Sequence, residues 1–225
     1  MLCNSTNHII LSASKDNKFE LVLVGKIMDR KVGDVIAFQD WPNFRPNLTP
    51  REIFMEGSFG GTYWKPIFSK VISQDLSKQH LEFKRWWKDI DDCFLIGESY
   101  NKRINKYGVS CGTGLEMWET KGWIREQDPY GWVQWYCRFF AGRRSPDDGR
   151  QVRRWLAFAG PMGRFRIQLI NKVIAANSTF DDEGVSPVIR QSLQHWAYRL
   201  NITDYEERAL QKWKSSVDGR GEFEH

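Results

Sequence analysis

No stretch of this 225-residue chain strings together the roughly 20 apolar residues that a membrane-crossing helix needs. A membrane partner is therefore not expected. The first twenty residues, MLCNSTNHIILSASKDNKFE, lack the basic start and sustained apolar run of a secretory signal. The four cysteines (Cys3, Cys93, Cys111 and Cys137) are scattered, and no CxxC or Cys/His pair has zinc spacing. The four histidines are isolated as well. These gaps argue against a structural metal and predict reduced thiols in a cytoplasmic protein. There is no internal repeat and no low-complexity tract.

Aromatics and charge are what the chain has in quantity. Eleven Trp and fourteen Phe supply much of a core, and Trp also favours pockets, because its N–H needs a polar partner. The net charge of +5 is concentrated rather than spread. From Arg138 to Lys172 nine Lys or Arg face only Asp147 and Asp148, a local balance of +7 that leaves the rest of the chain near −2. Such a window suits a polyanion, nucleic acid above all, or it is simply a pair of arginine-rich surface helices.

Punctuation along the chain predicts a mainly α (α+β) fold: a helical domain with a small N-terminal β element. FELVLVGKI and DVIAFQ read as strands around the turn MDRKVG, and WPNFRPNLTP is the most visible connection. Helical signals then begin. Thr49-Pro50-Arg51-Glu52 is a capping box with proline at the first helical position. Asp128-Pro129, Ser145-Pro146 and Ser186-Pro187 repeat the device, and Thr113 to Glu116 opens a helix closed by Gly122. Ile189, Leu193, Trp196 and Leu200 share one face. The expected divisions are 1–48 for the β segment and linker, 49–200 for the helical domain and 201–225 for a polar tail whose end, SSVDGRGEFEH, is expected to fray, all within one globular unit. Capping alone explains Asp128, Ser145, Asp147, Asp148 and Glu116.

Two constellations remain. In IFMEGSFGGTYWKPIF, Gly61 is followed by Thr62-Tyr63-Trp64 and not by Lys and a hydroxyl, so this is no Walker loop, and the glycine spacing is wrong for a dinucleotide. No nucleotide cofactor is expected. The stretch reads either as a tight turn packed by its aromatics or, preferred, as a pocket. In the pocket reading Glu56, Ser58, Thr62 and Tyr63 supply a carboxylate and hydroxyls, with Phe59 and Trp64 as walls. The second constellation runs from Glu126 through Asp128 and Tyr130 into Arg143, Arg144, Arg150, Arg153, Arg154, Arg164 and Arg166. Arginines interleaved with aromatics suit RNA, where bases stack and guanidinium groups hold phosphates. Trp135 and Trp155 are expected in the core. His195 reads as a satisfied core or surface histidine, and no Ser/His/Asp or Cys/His set assembles from sequence order.

The motifs REIFMEGSFGGTYWKPI, INKYGVSCGTGLEMWETKGWI, DPYGWVQWYCRFFAGRRSPDDGRQVRRW and GPMGRFR together resemble the fungal arginine-containing cyclodipeptide synthases over roughly 49–200. The resemblance implies an enzyme that takes aminoacyl groups from arginyl-tRNA and a second charged tRNA and joins them into a cyclic dipeptide. The tRNA ester is already activated, so no cofactor is needed. On this reading Glu56 transfers a proton or binds the guanidinium, for which Glu126 and Asp128 also compete, and Tyr63 or Thr62 contacts the oxyanion or leaving group. Ser58 is a possible acyl acceptor, and the arginines hold tRNA. The alternatives are a non-catalytic RNA- or DNA-binding module and a small-molecule enzyme acting on an anionic substrate.

Overall fold

Aromatic side chains from helices, a strand and loops alike build one core. The computed structural model describes residues 9–11, 23–24 and 30–218, with side chains for 30–215. Of FELVLVGKI only Leu23–Val24 falls within the described residues. Three short strands form one sheet: β1 (Ile9–Leu11) pairs antiparallel with β2 (Leu23–Val24) and parallel with β3 (Ile36–Phe38), which DVIAFQ announces. A second pair, β4 (Ile67–Ser69) with β5 (Gln74–Leu76), is an antiparallel hairpin. Among the described residues there are seven α-helices: α1 (Pro50–Met55), α2 (Leu115–Thr120), α3 (Trp132–Phe140), α4 (Asp148–Ala159), α5 (Arg164–Ala175), α6 (Pro187–His195) and α7 (Ile202–Asp218), joined by loops and short 3-10 turns. The protein is mainly α with a small β element.

α3 is the hub. Of its nine residues only Arg138 and Phe140 escape full burial. Phe44, from the linker after β3, inserts edge-on against Tyr136, Phe139 and Trp155, with ring centroids 5.8, 5.5 and 5.2 Å away. Edge-to-face contacts of this kind suit the ring quadrupole. Ile36, Phe38, Phe44 and Leu48 thus join the same core as the helices.

The capping predictions divide. Thr49 caps α1 with both limbs of the box: Glu52 N–H donates to Thr49 Oγ1 at 3.2 Å, and Thr49 N–H to Glu52 Oε2 at 2.8 Å. Asp128 caps nothing, because α3 starts at Trp132 behind Gly131. Asp147 precedes α4 without a capping bond and instead takes Arg150 and Gln151. Asp148 turns back to Ser145 N–H and Oγ (2.9 and 2.7 Å) and accepts the indole N–H of Trp135 at 2.8 Å. Ser186 precedes α6 in a left-handed conformation with no side-chain bond. Gly114, not Thr113, precedes α2, and Thr113 Oγ1 accepts from Trp118 Nε1 instead. Most of the polar tail expected after Leu200 forms the longest helix among the described residues, α7, and of SSVDGRGEFEH only 215–218 falls within them. The helix starts where Asp204 N–H donates to Asn201 Oδ1 at 2.9 Å.

Candidate functional site

The glycine-rich bend is filled by the chain itself. A Cβ on Gly57 (φ +93) would lie 1.8 Å from the carbonyl oxygen of Ile104, and one on Gly61 (φ +78) 2.0 Å from that of Cys93. Gly60 faces the ring of Tyr100. Lys106 N–H donates to Gly57 O, Asn101 N–H to Gly60 O and Gly97 N–H to Gly61 O, at 3.1, 3.0 and 2.9 Å. The bend is therefore threaded between two other loops, and its glycines admit backbone, not ligand.

The hydroxyls expected to line a pocket are engaged or enclosed. Thr62 Oγ1 donates to Phe59 O at 3.0 Å. Tyr63 OH donates to Tyr130 O (2.6 Å) and accepts Gln134 N–H (3.0 Å), and burial pushes its pKa far above the ordinary tyrosine value. Tyr130 OH donates to Lys65 O at 2.9 Å and is pushed up to about 12 by burial. Trp64 is wholly inside the core, and so is Ser58, whose Oγ has no partner among the described residues. The structure brings Tyr63 and Tyr130 together as a clamp on main chain.

One pair unforeseen in the sequence lies beside the bend. Cys111 Sγ is 3.5 Å from Nδ1 of buried His195, whose ring stacks on Phe59 at 4.0 Å. Phe59 N–H donates to His195 Nε2 at 3.0 Å, and Gln191 Nε2 lies 3.2 Å from the same nitrogen. The Gln191 amide is oriented by Tyr107 N–H on its oxygen and by Gly57 O on its nitrogen, so it donates to the histidine. With two donors on Nε2 the ring proton sits on Nδ1, facing the sulfur. Burial lowers His195 to about 3 and raises Cys111 to about 11. The pair is neutral at pH 7, and its imidazole has no free lone pair with which to take the thiol proton. The 84 residues between them left no local signal.

Charge is distributed in a similar way. Glu56, at the end of α1, holds Arg199 and, at 3.2 Å, Lys106. Asp128 is 1 % exposed and binds Arg143 through two bonds (2.8 and 2.7 Å) and Arg138 at 3.0 Å, while Arg138 also binds Glu82. Arg144 pairs with Asp40 and lies over Phe139. Arg150 pairs with Asp147, and Arg166 is buried against Asp204 of α7. Arg153 and Arg154 diverge. Arg153 is exposed, whereas Arg154 is half-buried, bonds Gln151 at 2.8 Å and forms no ion pair with a described residue. Arg164 is exposed over Phe165.

Open space lies elsewhere, beside the start of α4. A cleft of about 450 Å³ is lined by Val71, Ile124, Arg125, Glu126, Gln127, Pro146 and Asp147. Against a desolvation that would raise it, Arg150 holds the Asp147 carboxyl below its usual value. Glu126 is exposed and forms no ion pair with a described residue. Of the three carboxylates expected to recognise a guanidinium, it alone remains uncommitted. Among the described residues no three or more His, Cys, Asp or Glu are grouped to hold a metal ion, and no helix is long and apolar enough to cross a membrane.

Fold and cleft thus define a mainly α protein that carries an acid-edged cleft beside an arginine-rich helix. Comparison with protein-family models, with curated proteins and with solved structures finds no match.

Proposed function

We propose that the protein is a cytoplasmic aminoacyl-transfer enzyme that joins an arginyl group and a second aminoacyl group, both taken from charged tRNA, into a cyclic dipeptide. The observation that carries this reading is the cleft beside Glu126: a free carboxylate at an open site, next to a helix with arginines on it. Glu126 accepts the guanidinium in charge-assisted hydrogen bonds, best in bidentate form. The motif resemblance over 49–200 points the same way.

The reaction asks mainly for positioning. The amine of one aminoacyl group attacks the ester carbonyl of the other. A C–N bond forms, the C–O bond to the ribose breaks, and the amine proton leaves with the ribose oxygen. The same exchange at the second ester closes the ring. Glu56, Tyr63 and Asp128 support this chemistry through the fold, since their polar atoms hold other parts of the chain.

The test is mass spectrometry of cells expressing the chain, searching for an arginine-containing diketopiperazine absent from an empty-vector control. Product from the native chain that falls about ten- to a hundredfold in Glu126→Gln, the range for a lost hydrogen bond to a charged group, supports the reading. Absence of product, with soluble protein and charged arginyl-tRNA verified, rejects it.

A second reading has its own observation. Five of the nine cations between Arg138 and Lys172 already hold carboxylates of this chain (Arg138, Arg143, Arg144, Arg150 and Arg166). That favours an enzyme of a small anionic substrate, whose arginines serve mainly the fold. tRNA affinity that falls steeply with salt favours the first reading, and no tRNA affinity at any salt favours the second.

A further inference from the structure

Along the outer side of α4 the aromatics that escape the core form a continuous column. Trp123 is 41 % exposed and stands at one end. The Arg154 guanidinium lies between two indoles, 5.6 Å from the Trp123 ring centre and 5.3 Å from that of Trp196. Trp196 stacks on Phe158 (4.8 Å, 18°), and Phe158 stacks on Phe165 (4.0 Å, 13°). Arg164 closes the far end, 5.5 Å over Phe165. Trp155 Nε1–H donates to Trp196 O at 2.8 Å, which ties the middle of the column to the core.

The charge of this surface differs from that of the rest of the basic window. Arg154 is half-buried, bonds the neutral Gln151 and forms no ion pair with a described residue; burial and the charge of Arg150 lower its pKa to about 10 against the opposing charge of Asp147. Arg164 is exposed and forms no ion pair with a described residue. A half-buried cation without an ion-pair partner is a standing cost that a bound anion removes. Flat rings with one guanidinium group among them and another at the end are complementary to unpaired bases on a phosphate chain. A protein partner would also bury the rings, yet it would not need this excess of unpaired cations.

We propose that the column ending at Trp123 is a stacking platform for single-stranded nucleic acid, with an unpaired base on the outer face of Trp123 and phosphates at Arg154 and Arg164. This rests on the aminoacyl-transfer reading only in naming the strand: there it is the unpaired 3′ end of a charged tRNA. The placement fits that strand, because Trp123 precedes Ile124, Arg125 and Glu126 of the cleft. Arg150 also links the two, donating to Trp123 O at 3.2 Å while it holds Asp147.

The test is fluorescence anisotropy of an end-labelled single-stranded RNA ending in CCA, and of the same strand annealed to its complement. The native chain is compared with Trp123→Ala, Trp123→Phe and Arg164→Gln. The single strand is expected to bind more tightly than the duplex. Loss of one stacked base should weaken it about tenfold in Trp123→Ala, and Trp123→Phe should restore most of the affinity. Arg164→Gln should reduce the slope of log affinity against log salt by about 0.7, the value for one single-strand phosphate. No binding, equal binding of strand and duplex, or unchanged affinity in Trp123→Ala overturns the platform. The two proposals fail separately. Diketopiperazine formation with Trp123-independent RNA binding removes the platform and leaves the synthase. Trp123-dependent binding without product does the reverse.

Discussion

The bend around Gly57–Tyr63 and the cleft beside Glu126 each set a carboxylate and other polar groups beside apolar residues, yet one is filled and the other open. In the bend the inward paths meet the chain itself: Ile104 O behind Gly57, the Tyr100 ring behind Gly60, Cys93 O behind Gly61, and main-chain partners on Tyr63 and Thr62. In the cleft, which Arg125 also lines, Glu126 faces about 450 Å³ of space and forms no ion pair with a described residue. A polar side chain offers chemistry only once the fold has left it unspoken for. Substitutions in the bend should therefore damage the fold, and substitutions in the cleft should damage function alone.

The largest effect should come from Gly57→Ala. Its Cβ would overlap the Ile104 carbonyl at a φ that L-residues rarely adopt, and no flexible side chain is there to yield. The expected outcome is loss of soluble, cooperatively melting protein, measured by yield and circular dichroism. Glu126→Gln, by contrast, should melt like the native chain. A stable Gly57→Ala protein would mean that the bend is looser than its contacts imply.

Asp128→Ala comes next. Removing this carboxylate strands Arg143 beside a buried void and leaves Arg138 with Glu82 as its carboxylate, which costs about 3 kcal/mol for a broken buried pair. The figure is at the lower end because both arginines are about one-fifth exposed to water. Chemical denaturation reads the change. A loss under about 1 kcal/mol, the range of a surface ion pair, would place Asp128 among them. Tyr63→Phe should cost somewhat less, about 2 kcal/mol, by leaving Gln134 N–H and Tyr130 C=O unsatisfied in the core. If Tyr63 serves the fold alone, diketopiperazine per folded molecule stays constant in this variant. A collapse of product with unchanged stability would return Tyr63 to the reaction.

Sequence periodicity and capping residues were enough to read the helical class, β3 and the start of α1, because these are local: Thr49 and Glu52 satisfy each other within four residues. The site was legible only in part. Glu126 was among the candidate carboxylates, but nothing local separates it from Glu56 and Asp128, whose cations arrive from Arg199, 143 residues away, and from Arg143. The same distance rule hid Cys111 beside His195 and Asp204 beneath Arg166. Helix α7 is a different miss. Asn201 ahead of an apolar pattern at Ile202, Tyr205, Ala209 and Trp213 is a start signal, and polarity alone concealed it.

One effect is absent at neutral pH and appears only in acid, and it concerns the histidine that ties the bend to α6. His195 titrates near 6.5 when unfolded, but burial lowers it to about 3 in the folded chain. Between these values the unfolded chain binds the extra proton, so stability falls as pH drops from about 6.5 towards about 3. Above that window the ring is neutral in both states and contributes no slope. Cys111 adds nothing here, since its thiol stays protonated up to about 11. His195→Gln keeps an acceptor for Phe59 N–H and removes the titration, so its melting temperature should fall less between pH 7 and pH 4.5 than that of the native chain. Equal acid sensitivity in the two proteins would mean that the imidazole takes its proton without unfolding. The bend would then open locally to water, and its likeness to the cleft would be closer than its packing suggests.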